Sequence, residues 1–284
     1  MLAITIRNLK LFFRDKGAVF FSILSVLIVI GLYVLFLGDN MGKSFTTLKD
    51  SKLLVTTWIV SGIIAVTSIS TTLGAFSIIV NDRQLKIFKD FSSSPLKRYQ
   101  LVSGYILSSF IVGVLMTLIA LILSLGYITF NGGELPSPHN IIKILGIILL
   151  SVLSNSAIML FIVSFFKSHS GYSAASAVVG TLIGFLTGTY IPIGGLPESV
   201  QLIIKLFPPS HSAALLRQTL MENTLTTSFS GIPSKYLEEF NLNMGITYKI
   251  GDALITPSTS ILILIGTAVI FFILGILNIS KKLK

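Results

Sequence analysis

The stretch Leu53–Asn81, LLVTTWIVSGIIAVTSISTTLGAFSIIVN, runs 29 residues without an Asp, Glu, Lys or Arg. About 20 apolar residues in a helix cross a ~30 Å hydrocarbon core, so the run is long enough to span a bilayer. Five further uncharged runs flank it: Gly17–Leu37, Tyr99–Gly133, Ile144–Phe166, Ser168–Pro197 and Ala253–Ser280. The whole chain agrees with them, for its 284 residues are only 11% charged at a mean hydropathy of +0.89, against about 25% charge in a soluble domain. The fold class expected is an all-α polytopic membrane protein with six transmembrane helices at about 18–37, 53–80, 102–130, 144–166, 172–192 and 260–279. Apart from one loop near 192–258, the polar remainder is too short for a separate domain, so residues 1–284 read as one transmembrane domain.

Basic residues set topology, because Lys and Arg are retained on the cytoplasmic side. With the N-terminus inside, one face holds 13 basic and three acidic residues and the other holds eight of each, so the net +10 lies on one side. Both termini are therefore expected in the cytoplasm, in a multi-pass protein of the plasma membrane. The charge reads as topology and as contact with the lipid bilayer, not as nucleic-acid binding. Residues 1–17 alternate Leu2, Ile4, Ile6, Leu9, Phe12 and Phe13 with Arg7, Asn8, Lys10 and Arg14, the pattern of an amphipathic interfacial helix; a simple basic flank fits equally well. Preceding a full-length span, this segment lacks the form of a cleaved signal, and Met1 reads as retained.

Within the spans, Thr57, Ser61, Ser68 and Thr72 recur at helical spacing, a stripe suited to helix packing or to a translocation path. Asn131-Gly132-Gly133 signals a turn after the third span. Ser151, Ser154, Asn155 and Ser156 form a polar knot in the fourth, facing protein rather than lipid. Gly180, Gly184 and Gly188 follow at intervals of four in the fifth, a packing or dimer seam. Beyond it, Pro197, Glu198, Lys205, Pro208-Pro209 and Arg217 interrupt an apolar stretch. Two short helices, about Pro197–Phe207 and Ser210–Met221, suit it better than a span, arranged as an external re-entrant hairpin over 193–221 or as two interfacial helices. Residues 222–258 read as a polar external loop whose removal the fold tolerates.

Several chemistries are excluded. There is no cysteine, and His139, His169 and His211 are scattered, so no metal or thiol site is expected. No ionisable residue lies in the middle of a span, which argues against proton- or sodium-coupled carriers. Hydrolase and protease motifs are missing. Gly42-Lys43-Ser44 lacks the glycine five positions earlier that a phosphate loop needs. This chain binds no cofactor by this reading, is not an enzyme, and takes any power from elsewhere. The segment 81–98 is where that input fits: Leu85, Phe88 and Phe91 fall near one helical face, with Arg83, Lys86, Lys89 and Asp90 around the rest, a shape for a partner's groove or for the membrane surface.

The run from Asp82 to Tyr105, with Arg83, Ser94-Pro95-Leu96-Lys97-Arg98 and Gly104-Tyr105, resembles the corresponding segment of type-2 ABC transporter permeases. So do Gly194-Gly195-Leu196-Pro197-Glu198, Phe207-Pro208-Pro209-Ser210-His211 and Leu216-Arg217 after span five, and Arg14-Asp15-Lys16 in the opening helix. Asp82 and Lys86 depart from the Glu and Gly frequent in the family. The resemblance implies a permease that pairs with a second one, as a homo- or heterodimer, each above a separate nucleotide-binding ATPase subunit that holds the ATP and Mg. It implies ATPase coupling through Asp82, Arg83, Lys86, Phe88, Asp90 and Phe91. It also implies an exit gate at Pro197, Glu198, Pro208, Pro209, His211 and Arg217, and export of an amphipathic or lipophilic compound such as a drug, an antimicrobial peptide or a lipid-linked molecule. The alternative is a non-transporting sensor or scaffold that binds a peptide or lipid through residues 192–258.

Overall fold

The computed structural model describes residues 1–17, 19–20, 24, 27, 31, 48–87, 91 and 98–282. Most of the first expected span (18–37) lies outside these, as do Phe88 and Asp90. Ten α-helices occur among the described residues: α1 Leu2–Arg14, α2 Ser51–Gln84, α3 Arg98–Phe130, α4 Pro138–Val163, α5 His169–Leu186, α6 Glu198–Leu206, α7 Pro208–Leu220, α8 Glu222–Ser228, α9 Ser234–Asn243 and α10 Pro257–Lys282. Four of them, α2, α3, α4 and α10, are long and apolar enough to cross a membrane.

Helix α2 is the axis of the bundle. In its most apolar window 72% of residues are buried, against 28% for α10, so α2 is surrounded by protein while α10 keeps one side free. Its neighbours are α3, α4, α5 and α7; α10 packs against α4 and α7, and α1 lies across α3. The hydroxyls that make α2 look polar are satisfied within it. Thr57 Oγ1 donates to the Leu53 carbonyl (3.0 Å), Ser61 Oγ to Thr57 O (2.6 Å) and Thr72 Oγ1 to Ser68 O (3.0 Å), the back-bonding that lets Ser and Thr sit in apolar helices.

Local sequence sets the helix ends. Ser137 caps α4, accepting from the Asn140 amide at 3.3 Å with Pro138 in the first turn. Ser168 caps α5 in the same way through the Gly171 amide. Helix α5 stops at Gly188, where φ is +61°; Thr189 N–H donates to Gly184 O (2.8 Å) and Gly188 N–H to Phe185 O (2.9 Å), the double bond of a glycine-terminated helix. At 18 residues α5 is shorter than the other long helices.

Two expectations are corrected here. Pro208 and Pro209 are not a spacer between the hairpin helices. They occupy the first turn of α7, where a proline's missing N–H costs nothing, and Phe207 alone separates α6 from α7. Residues 222–258 are not a simple polar loop, nor is the chain wholly helical. They form α8, α9 and an antiparallel hairpin of β1 Tyr248–Ile250 and β2 Ala253–Ile255, turning at Gly251 with φ +59°. Leu225, Phe229, Phe240, Met244 and Ile246 from this segment share a buried cluster with Leu54, Trp58 and Ile63 of α2, so it caps the bundle and belongs to its core.

Candidate functional site

The two ends of α2 carry the polar networks. At the α1 end the helix runs past the expected boundary to Gln84, which places Asp82 and Arg83 in its last turn. Asp82 is 1% exposed. Its carboxylate accepts two bonds from the Arg7 guanidinium, at 2.5 and 2.9 Å, and another from the Tyr105 hydroxyl. Hydrogen bonding to Asp82 holds Arg7 protonated more firmly than an ordinary arginine, against the opposing effect of burial. Thr5 Oγ1 donates to Gly104 O and Asn8 Nδ2 to Ser108 Oγ, and a Cβ at Gly104 would lie 2.7 Å from Ile4. Helix α1 is thus pinned to α2 and α3 by a short row of residues.

The same turn reaches the other side of the bundle. Arg83 Nη1 donates to the carbonyls of Val163 and Phe166, both at 3.2 Å, a cation on the negative end of α4. Gln84 Oε1 accepts from the His169 amide at 2.6 Å, satisfying the first turn of α5. Asn278 Nδ2 donates to Ser164 Oγ at 2.5 Å, drawing in α10. Displacement of the segment following Gln84 would therefore be felt by α1, α3, α4, α5 and α10 together. One turn of α2 thus links five other helices, and among the described residues no group of metal-ligating side chains gathers there.

Of the six residues expected to couple to an ATPase, Asp82 and Arg83 have side chains engaged within the chain. Lys86 is exposed and takes φ +60°, in the left-handed region, and its neighbour Leu85 is 61% exposed. Phe91 is partly buried, with the Arg7 guanidinium 5.6 Å from its ring centroid. Among the described residues of this segment, Leu85 and Lys86 are exposed, while Asp82 and Arg83 hold their base.

The opposite end centres on Arg217, which is fully buried. Its Nη1 donates to Gly245 O (3.1 Å), its Nη2 to Gly188 O (2.7 Å) and Thr187 O (3.3 Å), and its guanidinium lies 4.8 Å from the Trp58 ring centroid. Trp58 Nε1 in turn donates to Met244 O at 2.7 Å. One cation thereby joins α7, the end of α5, the cap and α2, with carbonyls and an aromatic face in place of a carboxylate. His211, six residues earlier on the same helix, bonds Ser260 Oγ through Nδ1 (3.1 Å) and Lys205 O through Nε2 (3.0 Å), tying α7 to α10 and α6. Pro209 is buried beside it; Pro197 and Glu198 stay exposed at the start of α6. Of the six expected gate residues, Pro209, His211 and Arg217 are therefore buried on α7, Pro208 is half-buried at its start, and Pro197 and Glu198 lie on the surface where α6 begins.

The stripe on α2 and the glycines of α5 also divide. Thr57 opens on a polar cleft of about 200 Å³ lined by Asp50, Glu134, Asn140, Thr219 and Thr224 among others. Ser61, Ser68 and Thr72 are enclosed, and Asn155 Nδ2 donates to Ser68 Oγ at 2.9 Å. Gly188 ends its helix; Gly184 faces Tyr190 of the same chain, whose ring would lie 2.1 Å from an added Cβ; Gly180 has open space. Trp58, Tyr105 and Arg7 were missing from the expected site. The signal for Trp58 was its being the single tryptophan of the chain, placed in an uncharged run dominated by aliphatic and hydroxyl residues.

With this geometry in place, the comparison with known families is decisive. The family described as ABC-2 family transporter protein matches residues 39–277. The chain belongs to this family. An ABC-2 permease is a membrane-transport subunit, and membership implies a separate ATPase subunit as its partner, in keeping with four helices long and apolar enough to cross a membrane. Among curated proteins no match is found.

Proposed function

We propose that this ABC-2 permease is the membrane subunit of an ATP-driven exporter in the plasma membrane, working beside a second permease with the ATPases beneath the α1 end. The observation that carries the reading is the distribution of charge. No Asp, Glu, Lys or Arg occupies the middle of α2, α3, α4 or α10, while Asp82, Arg83 and Arg7 gather where α2 leaves the bundle. A carrier without titratable groups in its spans draws on an external power source, and the exposed Leu85-Lys86 turn, mounted on that network, is where the power is delivered.

In this reading six spans cross the membrane with both termini in the cytoplasm, and α6–α7 is re-entrant. Leu202, Ile203 and Leu206 on α6 are 49–65% exposed, an apolar face suited to lipid and unsuited to water. The Arg217 core is the outer gate, held shut by the cap. Thr57 and the cleft beside it belong to the exit route of an amphipathic or lipophilic substrate. Gly180 lies on the face left for the second permease. Outward transport is supported by the cap, which packs Leu225, Phe240, Met244 and Ile246 against α2.

A photo-crosslinking residue at Leu85 tests the reading in native membranes. An adduct with a nucleotide-binding subunit is expected from position 85, and none from Asp252 on the cap. Adducts from the cap alone would overturn it.

A further inference from the structure

Next to the gate, α9 and the turn that follows α5 enclose a groove of about 650 Å³, within the ~300–1,000 Å³ typical of small-molecule sites. Pro192, Gly194 and Gly195 form one wall; Tyr236 and Phe240 stand on the other, with Glu239 between them in sequence. Gly194 lets the two walls meet, because a Cβ there would lie 2.4 Å from Asn243 Oδ1. Gly195 is different: the nearest atom to an added Cβ is Ile191 Cγ2 at 3.8 Å, so its missing side chain leaves open space.

The chemistry of the lining is one-sided. Glu239 is its single charged residue, the rest being mostly apolar and aromatic. Among the described residues no Lys, Arg or His nitrogen lies within ion-pair distance of the Glu239 carboxylate. Aromatic faces and an unneutralised carboxylate both attract cations, and apolar walls favour an apolar body. We propose that this groove is a binding site for an amphipathic organic cation, with the ammonium group at Glu239 and the apolar part against Tyr236 and Phe240. Phe240 and Met244 line the groove and also pack over Trp58, so an occupant bears on the elements that Arg217 joins. The inference concerns binding at the capped face and stands whichever way the permease transports.

The test uses the full chain in nanodiscs of uncharged lipid, with rhodamine 6G as the probe and fluorescence anisotropy corrected for protein-free discs. Saturable binding is expected. Glu239→Gln weakens it about five- to tenfold, the scale of a partly screened ion pair, Gly195→Leu fills the groove and abolishes it, and Glu238→Gln on the neighbouring surface leaves it unchanged. Melting temperature and Trp58 emission, read in parallel, show that each variant is folded. Absence of saturable binding above that of empty discs, or equal affinity in the folded Glu239→Gln and wild-type proteins, overturns the proposal.

Discussion

Replacing Arg7 and Asp82 singly and together tests the network at the base of α2, and the exposures of the two partners make the result asymmetric. The Asp82 side chain is 2% exposed and that of Arg7 30%. In Arg7→Met the carboxylate stays buried with the Tyr105 hydroxyl as its remaining side-chain partner, which costs about 3–5 kcal/mol. In Asp82→Asn the guanidinium can turn toward water and the new amide can still accept from Tyr105, so the cost falls to about 1–2 kcal/mol. Arg7→Met/Asp82→Asn removes both charges and should cost less than Arg7→Met alone, a coupling of about 2–3 kcal/mol. Thermal unfolding of the purified protein in mild detergent measures all three. Equal single costs that add in the double variant would show that the pair is solvated and that α1 is not clamped through it.

Three further outcomes follow from the same contacts. Arg217→Lys keeps the charge but loses the planar fork that reaches three carbonyls; it should cost about 2–3 kcal/mol, make residues 222–255 sensitive to protease and shift Trp58 emission to the red. Deleting residues 222–255 should lower the melting temperature strongly, since Trp58, Leu54 and Ile63 lose their cover; an unchanged melt would restore the reading of that segment as a dispensable loop. Lys86→Gly should raise stability by about 1 kcal/mol by relieving a left-handed backbone, and a lowered melting temperature would contradict the strained turn.

What the sequence makes legible and what it does not divide along physical lines. Uncharged runs locate α2, α3, α4 and α10 because in a bilayer length and apolarity nearly decide a helix. Proline and glycine locate the two short helices α6 and α7 to within two residues and the turn after α3, because their backbone effects are local. The cap is hidden for the opposite reason: Trp58 and Met244 are separated by 186 residues, and α8, α9 and two three-residue strands are too short and too polar for periodicity to distinguish from loop. Asp82 shows a different limit. A carboxylate at the end of a span looks the same in sequence whether it faces a partner or turns inward to Arg7 and Tyr105. The departure at Lys86 from the glycine frequent in the family becomes intelligible only with its positive φ in hand.

The account as a whole is tested most directly by purifying the chain in mild detergent from the membrane in which it is made and assaying what accompanies it. A nucleotide-binding subunit should copurify and hydrolyse ATP, with hydrolysis falling when Leu85 is replaced by Asp while the permease remains folded. A folded permease that comes alone, or an accompanying ATPase indifferent to Leu85→Asp, would contradict it.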